Sequence, residues 1–587
     1  MKILLLTHAF NGLAQRLWLV LREAGHAVSV ELDIADSVTE EAVARFDPDV
    51  VLAPFLKRRI PESVWSTRLC LVLHPGPPGD RGPSALDWAL LEGKAQWGVT
   101  VLQATADFDA GPVWAAEGLE IPEACSKAEL YRQQVTPAAV RAVLAALARV
   151  QPGSDVPRPM PQASTASQQT EGGGWRPLVT QAQRAIDWSL HSTAQLLARV
   201  RSADSAPGAV ALLLGENCRL HDLHEATPQE LARVQAMAGK QPGQALARRG
   251  PALLLRTRDG AVWVGHVRRA PQADGTPSLK LAATRAWAEA AASLPEWPVP
   301  LQREDGAWDE LHYRELGPPG ARVGWLDFDF FNGALSERQA GRLQQALSEL
   351  AARDTQVLVL AGGRDFFCNG IHLHEIEACA HDAGDSAADA SWRHINAIDD
   401  VALQILQTTD RLVISALRGN AGAGGCFLAL AADQVWLREA VVLNPHYKNM
   451  GNLYGSEYWT YLLPQRVGTA RSREIMQGRL PMSASQALTL GLADAVFGPS
   501  QAAFESECLA RALALAAAPD HAARVQHKRA RRAADEAHKP LAAYRAEELT
   551  RMRRNFYGFD PSYHVARHHF VHRKPHAWTP RHLALHR

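Results

Sequence analysis

From Lys2 to His74, apolar runs of strand length alternate with stretches in which apolar residues recur every three or four positions. The runs are "KILLL", "AVSVEL", "DVVLAPFL" and "RLCLVL", with "LAQRLWLVLREAG" and "EEAVARF" between them. Strand patterns separated by amphipathic helices predict a parallel sheet with helices on both faces. Such sheets carry their sites at the carboxyl ends of the strands. His74 stands at such an end, in "LVLHPGPPGDRGPSALDW", where the chain leaves a strand for a loop stiffened by proline and glycine.

The pattern then lapses. Residues 151–174, rich in Pro, Gly, Ser and Gln and without periodicity, read as a linker. Beyond it come a helical stretch, "TAQLLARVRS", and short strand patterns with turn signals: "GAVALLL", "NCRLHDL", "GQALAR", "ALLLRTRDGAVWVGHVRR" and "SLKLAA". They predict a small β-barrel or sandwich. Alternation returns at "VGWLDFDF" and runs through "SERQAGRLQQALSELAAR", "TQVLVLAGG", "RLVISALRG" and "GCFLALAAD" to "QVWL". The expected architecture is a multidomain α/β chain. It has a Rossmann-like domain at 1–165, an OB-like barrel at 166–285, a second α/β domain at 286–535, and a helical, histidine-rich tail at 536–587.

Composition narrows the classes of function. Lys plus Arg and Asp plus Glu both number 62, which gives no electrostatic reason to expect a nucleic-acid partner. The apolar run in "MKILLLTHAF" is too short for a signal peptide, and no later stretch approaches a membrane span, so a soluble, cytoplasmic chain without a membrane partner is expected. Seven cysteines without a CxxC pair argue against a disulfide framework and against a zinc site.

Asp109, in "DFDAGPVW", follows His74 in a second loop. A histidine and a carboxylate from neighbouring strand ends can handle a proton, the carboxylate orienting the ring; the alternative is a structural histidine capping the loop. The stretch "LHPGPPGDRGPSALDWALLEGKAQWGVTVLQATADFDAGPV" resembles the folate-dependent formyltransferase family. The likeness covers roughly 1–165 and continues in "RAIDWSLHSTAQLLARVRSADSAPGA", which is similar to the start of that family's C-terminal barrel domain. The resemblance implies catalytic roles for His74 and Asp109, folate contacts from Arg81, Gly82 and Asp107, and 10-formyltetrahydrofolate as the one-carbon donor. One departure stands out: the family's asparagine two residues before the histidine is Val72 here. Losing an oxyanion donor typically costs about two to three orders of magnitude. Either the domain binds folate without catalysis, or its acceptor is a stronger nucleophile than an amine, such as a thiolate.

Two further stretches, "LAGGRDFFCNGIHLHEIEA" and "ALRGNAGAGGCFLALAADQVW", resemble hallmarks of the crotonase (enoyl-CoA hydratase/isomerase) superfamily. The resemblance implies a crotonase fold and backbone N–H donors at Ile371 and Gly424, with Gly370 and Gly425 at the coenzyme A cradle. Glycine permits close approach, and a helix N-terminus favours a thioester oxyanion. The alternative is that "GAGG" serves tight helix packing. Hydratases carry a glutamate where this chain has Phe427, and their second glutamate falls at His446 or Tyr447, so water addition is disfavoured. Tyr447 and Glu457 could instead form a buried proton-transfer pair; alternatively Glu457 merely favours a helix start.

The two modules in this order resemble a family of hydrogenase maturation factors. That likeness implies formyl transfer from 10-formyltetrahydrofolate to coenzyme A, then decarbonylation of formyl-CoA to carbon monoxide for a [NiFe] centre. It also suggests hydrogenase maturation proteins as partners beside the small-molecule substrates. The competing reading is a formyltransferase or formyl hydrolase whose crotonase module only senses coenzyme A. In the tail, His568, His569 and His572 lie among Arg and Lys with no neighbouring carboxylate, which reads as a basic surface strap with no metal. The run "KRARRAA" (528–534) reads as a solvated helix face that could reach coenzyme A phosphates.

Overall fold

The computed structural model of the 587-residue chain describes residues 1–150, 159, 174–237, 241–271 and 277–587. The linker expected at 151–174 and the boundary at 165 lie outside the described residues, apart from Pro159 and Gly174. The chain divides into two compact units: Met1–Ala270 with Ala282–Glu296 and Pro575–Arg587, and Pro271–Leu281 with Trp297–Lys574. Among the described residues no helix is long and apolar enough to cross a membrane.

The first unit opens with β1 (Lys2–Thr7), β2 (Ala27–Leu32), β3 (Val50–Phe55), β4 (Cys70–His74), β5 (Asp80–Arg81), β6 (Gln96–Gln103) and β7 (Val113–Glu120). Their main sheet has the order β2-β1-β3-β4-β6-β7. The connecting helices bury one stripe each: Gly12–Glu23 buries Leu13, Leu17 and Leu21, and Asn11 caps its start by accepting the Ala14 N–H. The first four strands are parallel, as the alternation predicts. The expectation of a wholly parallel sheet fails for the last two, because β6 runs antiparallel to β4, and β7 to β6. The β6–β7 loop is too short for the crossover that a parallel pair requires.

A two-residue strand, β8 (Gly174–Trp175), pairs with β5. The barrel is then built from β9 (Ala209–Leu213), β10 (Glu216–Glu225), β11 (Ala245–Arg249), β12 (Ala252–Arg256) and β13 (Ala261–Arg269), in the order β11-β12-β13-β10-β9, all antiparallel. A short strand, β14 (Lys280–Ala282), follows.

The second unit stacks helices on two sheets. The larger has the order β15 (Leu311–Leu316), β16 (Val323–Phe328), β17 (Val357–Leu360), β19 (Leu412–Leu417), β21 (Gln434–Arg438), β24 (Ala495–Phe497), parallel except for β15. The smaller joins β18 (Phe366–Cys368), β20 (Asn420–Gly422), β22 (Val442–Asn444) and β23 (Met482–Ser483). The expected boundary at 535 cuts the helix His521–His538, and the next helix, Leu541–Tyr557, buries Leu541, Met552 and Phe556 in the unit's core.

Two expectations for the C-terminal region are corrected. The run 528–534 is more than a solvated face: Lys528 is buried and bonded to Asp433 at 2.6 Å, and the Arg532 guanidinium stands over the Tyr461 ring. Nor is the tail a surface strap. Helix Ser562–Val571 packs its Val571 on Ala378, and Pro575–Arg587 lies on β2, where Val30 N–H donates to the Leu583 carbonyl at 3.0 Å.

Candidate functional site

In the first unit His74 closes β4 with its ring 4% exposed. Its Nε2 meets Asp80 Oδ2 at 2.7 Å, and its Nδ1 lies 3.6 Å from Asp109 Oδ1. The ring thus sits between two carboxylates, and the one in hydrogen-bond contact is Asp80, which sequence reasoning left unassigned. The signal was present in "GDRG", six residues past the histidine, where a turn can bring a carboxylate back onto the ring. Gly76 explains the loop's closeness, since a side-chain carbon there would stand 2.8 Å from His74 Cδ2.

Asp109 holds a left-handed backbone (φ 50°), and its Oδ2 accepts the Gly82 N–H at 3.1 Å. The loops bearing Gly82 and Asp109 are therefore tied together beside His74. Arg81 and Asp107 are exposed, and the Asp107 carbonyl accepts from the Thr105 hydroxyl. Val72 is a partly buried residue packed against the apolar cluster that includes Val51, Ala53 and Cys70, and its side chain offers no donor. Arg176 comes from two residues beyond Gly174: its N–H donates to the Arg81 carbonyl, and its Nε lies 4.0 Å from Asp80 Oδ1.

In the second unit the loop after β18 and the start of helix Gly424–Leu430 converge. A side-chain carbon on Gly370 (φ +80°) would lie 3.3 Å from the Gly424 nitrogen. Among the described residues, the Ile371 and Gly424 N–H groups have no hydrogen-bond acceptor. A buried amide donor such as Gly424 is rarely left so, and two unpaired amides on converging loops fit a thioester oxygen. Gly425 has a packing reason of its own, because any side chain there would overlap the Cys368 carbonyl.

The Tyr447 hydroxyl donates to Glu457 Oε2, and a methyl group on Gly424 would collide with the same carboxyl group. Tyr447, Glu457 and the two amides therefore occupy one place. Phe427 stacks flat on Tyr447, with ring centroids 5.5 Å apart, so the residue that replaces the hydratase glutamate forms the phenol's apolar wall. Glu457 precedes helix Trp459–Gln477, but its side chain is 1% exposed and turned to Tyr447 rather than to the helix end.

Three residues that sequence reasoning missed complete the arrangement. Asp399, from helix Ala387–Gln407, accepts the Ser456 hydroxyl at 2.7 Å and the Glu457 N–H at 2.8 Å through one oxygen. Its other oxygen lies 3.7 Å from Arg545 Nε. Glu548 accepts the Tyr458 N–H at 3.0 Å and the Thr460 N–H at 2.7 Å. Burial, aided by the Asp399 charge, pushes the Glu457 carboxyl up to about 8 and Glu548 well above its ordinary value. Burial likewise raises Asp399 to about 6, against its hydrogen bonds from Ser456 and Glu457. The Tyr447 phenol is pushed well up by burial and by Glu457. A carboxyl group poised near neutral pH, hydrogen-bonded to a phenol and facing two free amides, can exchange a proton with a bound thioester.

Three family models match the chain: formyl transferase over residues 29–147, formyl transferase C-terminal domain over 178–276, and enoyl-CoA hydratase/isomerase over 331–579. The hydrogenase maturation factor HoxX of Bradyrhizobium diazoefficiens is 50% identical over 589 residues, covering 100% of this chain and 97% of that protein. The crystal structure of HypX from Aquifex aeolicus in complex with tetrahydrofolic acid is 42% identical, with a TM-score of 0.91, and the match covers 100% of this chain and 99% of that one. A methionyl-tRNA formyltransferase of Variovorax paradoxus is 27% identical over 37% of this chain and 66% of its own length.

Proposed function

This chain belongs to the hydrogenase maturation factor family of HoxX and HypX, and we propose from that membership that it is a formyl-transfer enzyme making carbon monoxide for a [NiFe] hydrogenase centre. In the first step the coenzyme A thiolate attacks the formyl carbon of 10-formyltetrahydrofolate. His74 delivers a proton to the departing folate nitrogen, Asp80 and Asp109 stabilise the imidazolium, and Gly82, Arg81 and Asp107 line the folate's approach. The tetrahydrofolic acid in the Aquifex aeolicus HypX crystal structure supports the folate half of this reading. Val72 supports a thiol acceptor, because a thiolate depends less on carbonyl activation than an amine does.

In the second step formyl-CoA becomes carbon monoxide and coenzyme A. Ile371 and Gly424 N–H groups hold the thioester oxygen, with Gly370 and Gly425 allowing the close approach. Glu457 as carboxylate takes the formyl proton, the C–S bond breaks with its electron pair on sulfur, and the proton passes from Glu457 to the thiolate. Tyr447 donates a hydrogen bond to the carboxylate throughout. The observation that carries the reading is the buried Tyr447–Glu457 pair beside two unpaired amides. Both substrates are small molecules of the cytoplasm, which is where the proposal puts the chain, with hydrogenase maturation proteins as recipients of the product.

The test supplies 13C-formyl tetrahydrofolate and coenzyme A to the full chain and reads labelled carbon monoxide in the gas phase. Release is expected from the wild type and is expected to fall about 10²–10⁴-fold in Glu457→Gln. Labelled formate in place of the gas, or unchanged gas output from the variant, would sink the decarbonylation step.

A further inference from the structure

The expectation of no metal in the tail rested on histidines without a carboxylate. Folding supplies one from almost two hundred residues away. Glu377, on helix Leu373–Cys379, is buried, and its Oε1 receives His568 Nδ1 at 3.1 Å and His572 Nε2 at 3.0 Å. The two histidines are four residues apart, which puts them on one face of helix Ser562–Val571 and its cap, with ring centroids 4.2 Å apart. Val571 packs on Ala378 and Leu373, so apolar contact fixes the two helices and with them the donor set. The three donor atoms all lie within 4.8 Å of one another.

We propose that Glu377, His568 and His572 form a binding site for a divalent transition-metal ion. Two imidazoles and one carboxylate oxygen suit Zn2+, Co2+ or Ni2+ and do not suit Mg2+ or Ca2+, which take oxygen ligands. Arg567, the cation that would oppose this, bonds to the other oxygen, Oε2, at 2.8 Å and lies over the Tyr563 ring, 5.3 Å from its centroid. It therefore orients the carboxylate from behind and leaves Oε1 to the metal, as a second-sphere partner does. The His568 side chain is 46% exposed and His572 22%, which gives an ion an entry path and leaves further coordination positions to water. Helix Leu373–Cys379 starts two residues after Ile371, so an ion here would staple the element that follows the amide donor.

The test titrates chelator-treated full chain with ZnCl2 by calorimetry and with CoCl2 by visible absorption. One equivalent per chain and the intense bands of low-coordinate Co2+ are expected from the wild type and from His569→Gln, whose histidine is on the same helix but outside the set. His568→Gln and His572→Gln keep the Glu377–Arg567 pair and are expected to bind that equivalent at least tenfold more weakly, with Zn2+ no longer raising their melting temperature. Equal binding by all four proteins, or no stoichiometric equivalent in the wild type, would overturn the site and leave the cluster an ion pair only.

Discussion

Glu457 is the residue on which the proposed chemistry turns, and its environment sets opposing demands. Burial and the nearby Asp399 carboxyl push it up to about 8, so near neutral pH much of the folded protein carries it protonated. A general base works only in its ionised form, so carbon monoxide release should rise with pH and level off above about 8. A profile that falls across that range would make Glu457 the acid instead. The same shift bears on stability. A carboxyl raised in the folded state stabilises the protein fully below its unfolded value of 4.5 and progressively less as pH rises toward 8. Glu457→Gln should therefore melt a few degrees higher than the wild type at pH 9 while losing the reaction, a result calorimetric scans at two pH values would read. At His74 the two carboxylates can be told apart. Asp80 makes the short bond and is buried, so Asp80→Asn should cost formyl transfer more than Asp109→Asn, by about tenfold or more given the strength of charged hydrogen bonds. Single-turnover transfer assays would show the order.

Elements explain why so much of the second site was hidden in the sequence. Ile371 and Gly424 were named from the likeness of their glycine-bearing loops to crotonase hallmarks, and those loops do converge, since a side-chain carbon on Gly370 would lie 3.3 Å from the Gly424 nitrogen. Asp399 and Glu548 sit inside the apolar stripes of ordinary amphipathic helices. Asp399 falls among Ile395, Ile398 and Ala402, and Glu548 among Leu541, Met552 and Phe556. A carboxylate at core spacing is itself a signal, since an ionisable group is almost never buried there without a partner. What the spacing cannot give is the partner. Glu457 (φ 58°) and Tyr458 (φ 60°) are consecutive non-glycine residues in the left-handed region, a costly conformation held by the N–H bonds to Asp399 and Glu548. Glu548→Ala would strand the Tyr458 and Thr460 N–H groups, at about 1–3 kcal/mol for each that remains buried. It is expected to lower the urea midpoint and slow carbon monoxide release together, with Glu548→Gln restoring only part of both, because its single carbonyl oxygen can accept from one of the two N–H groups while its NH2 faces the other. Restored stability without restored release would show that Glu548 also acts through its ionisation.

At the scale of the whole molecule, strand and helix alternation foretold the α/β fold class, but contacts between distant parts of the chain were not legible. β2 is an edge strand, whose unpaired groups need a cover. The cover comes from Pro575–Arg587. Thr579 accepts the Leu32 N–H at 2.9 Å, Ser29 bonds His586 at 2.7 Å, and the buried Glu31 carboxylate takes His586 Nε2 at 2.7 Å and Arg587 Nη2 at 3.0 Å. Read locally, those histidines look like a charged surface segment, because nothing in "TPRHLALHR" reveals a carboxylate in the second strand. Burial works against ionised Glu31, yet the bonds from His586, Thr579 and Arg587 outweigh it and lower its value below 4.5. A carboxyl lowered in the folded state contributes stability above its unfolded value and loses it as pH falls through the folded one. The clasp should therefore hold at neutral pH and weaken below about pH 4.5. His586→Ala removes one partner of a buried charge while Arg587 stays, so a cost near the low end of such losses, about 3 kcal/mol, is expected. Glu31→Gln should remove this acid-dependent component. Denaturant melts of the three proteins at pH 7 and pH 4 would decide it: if His586→Ala is as stable as the wild type at pH 7, the segment does not brace the edge of the sheet.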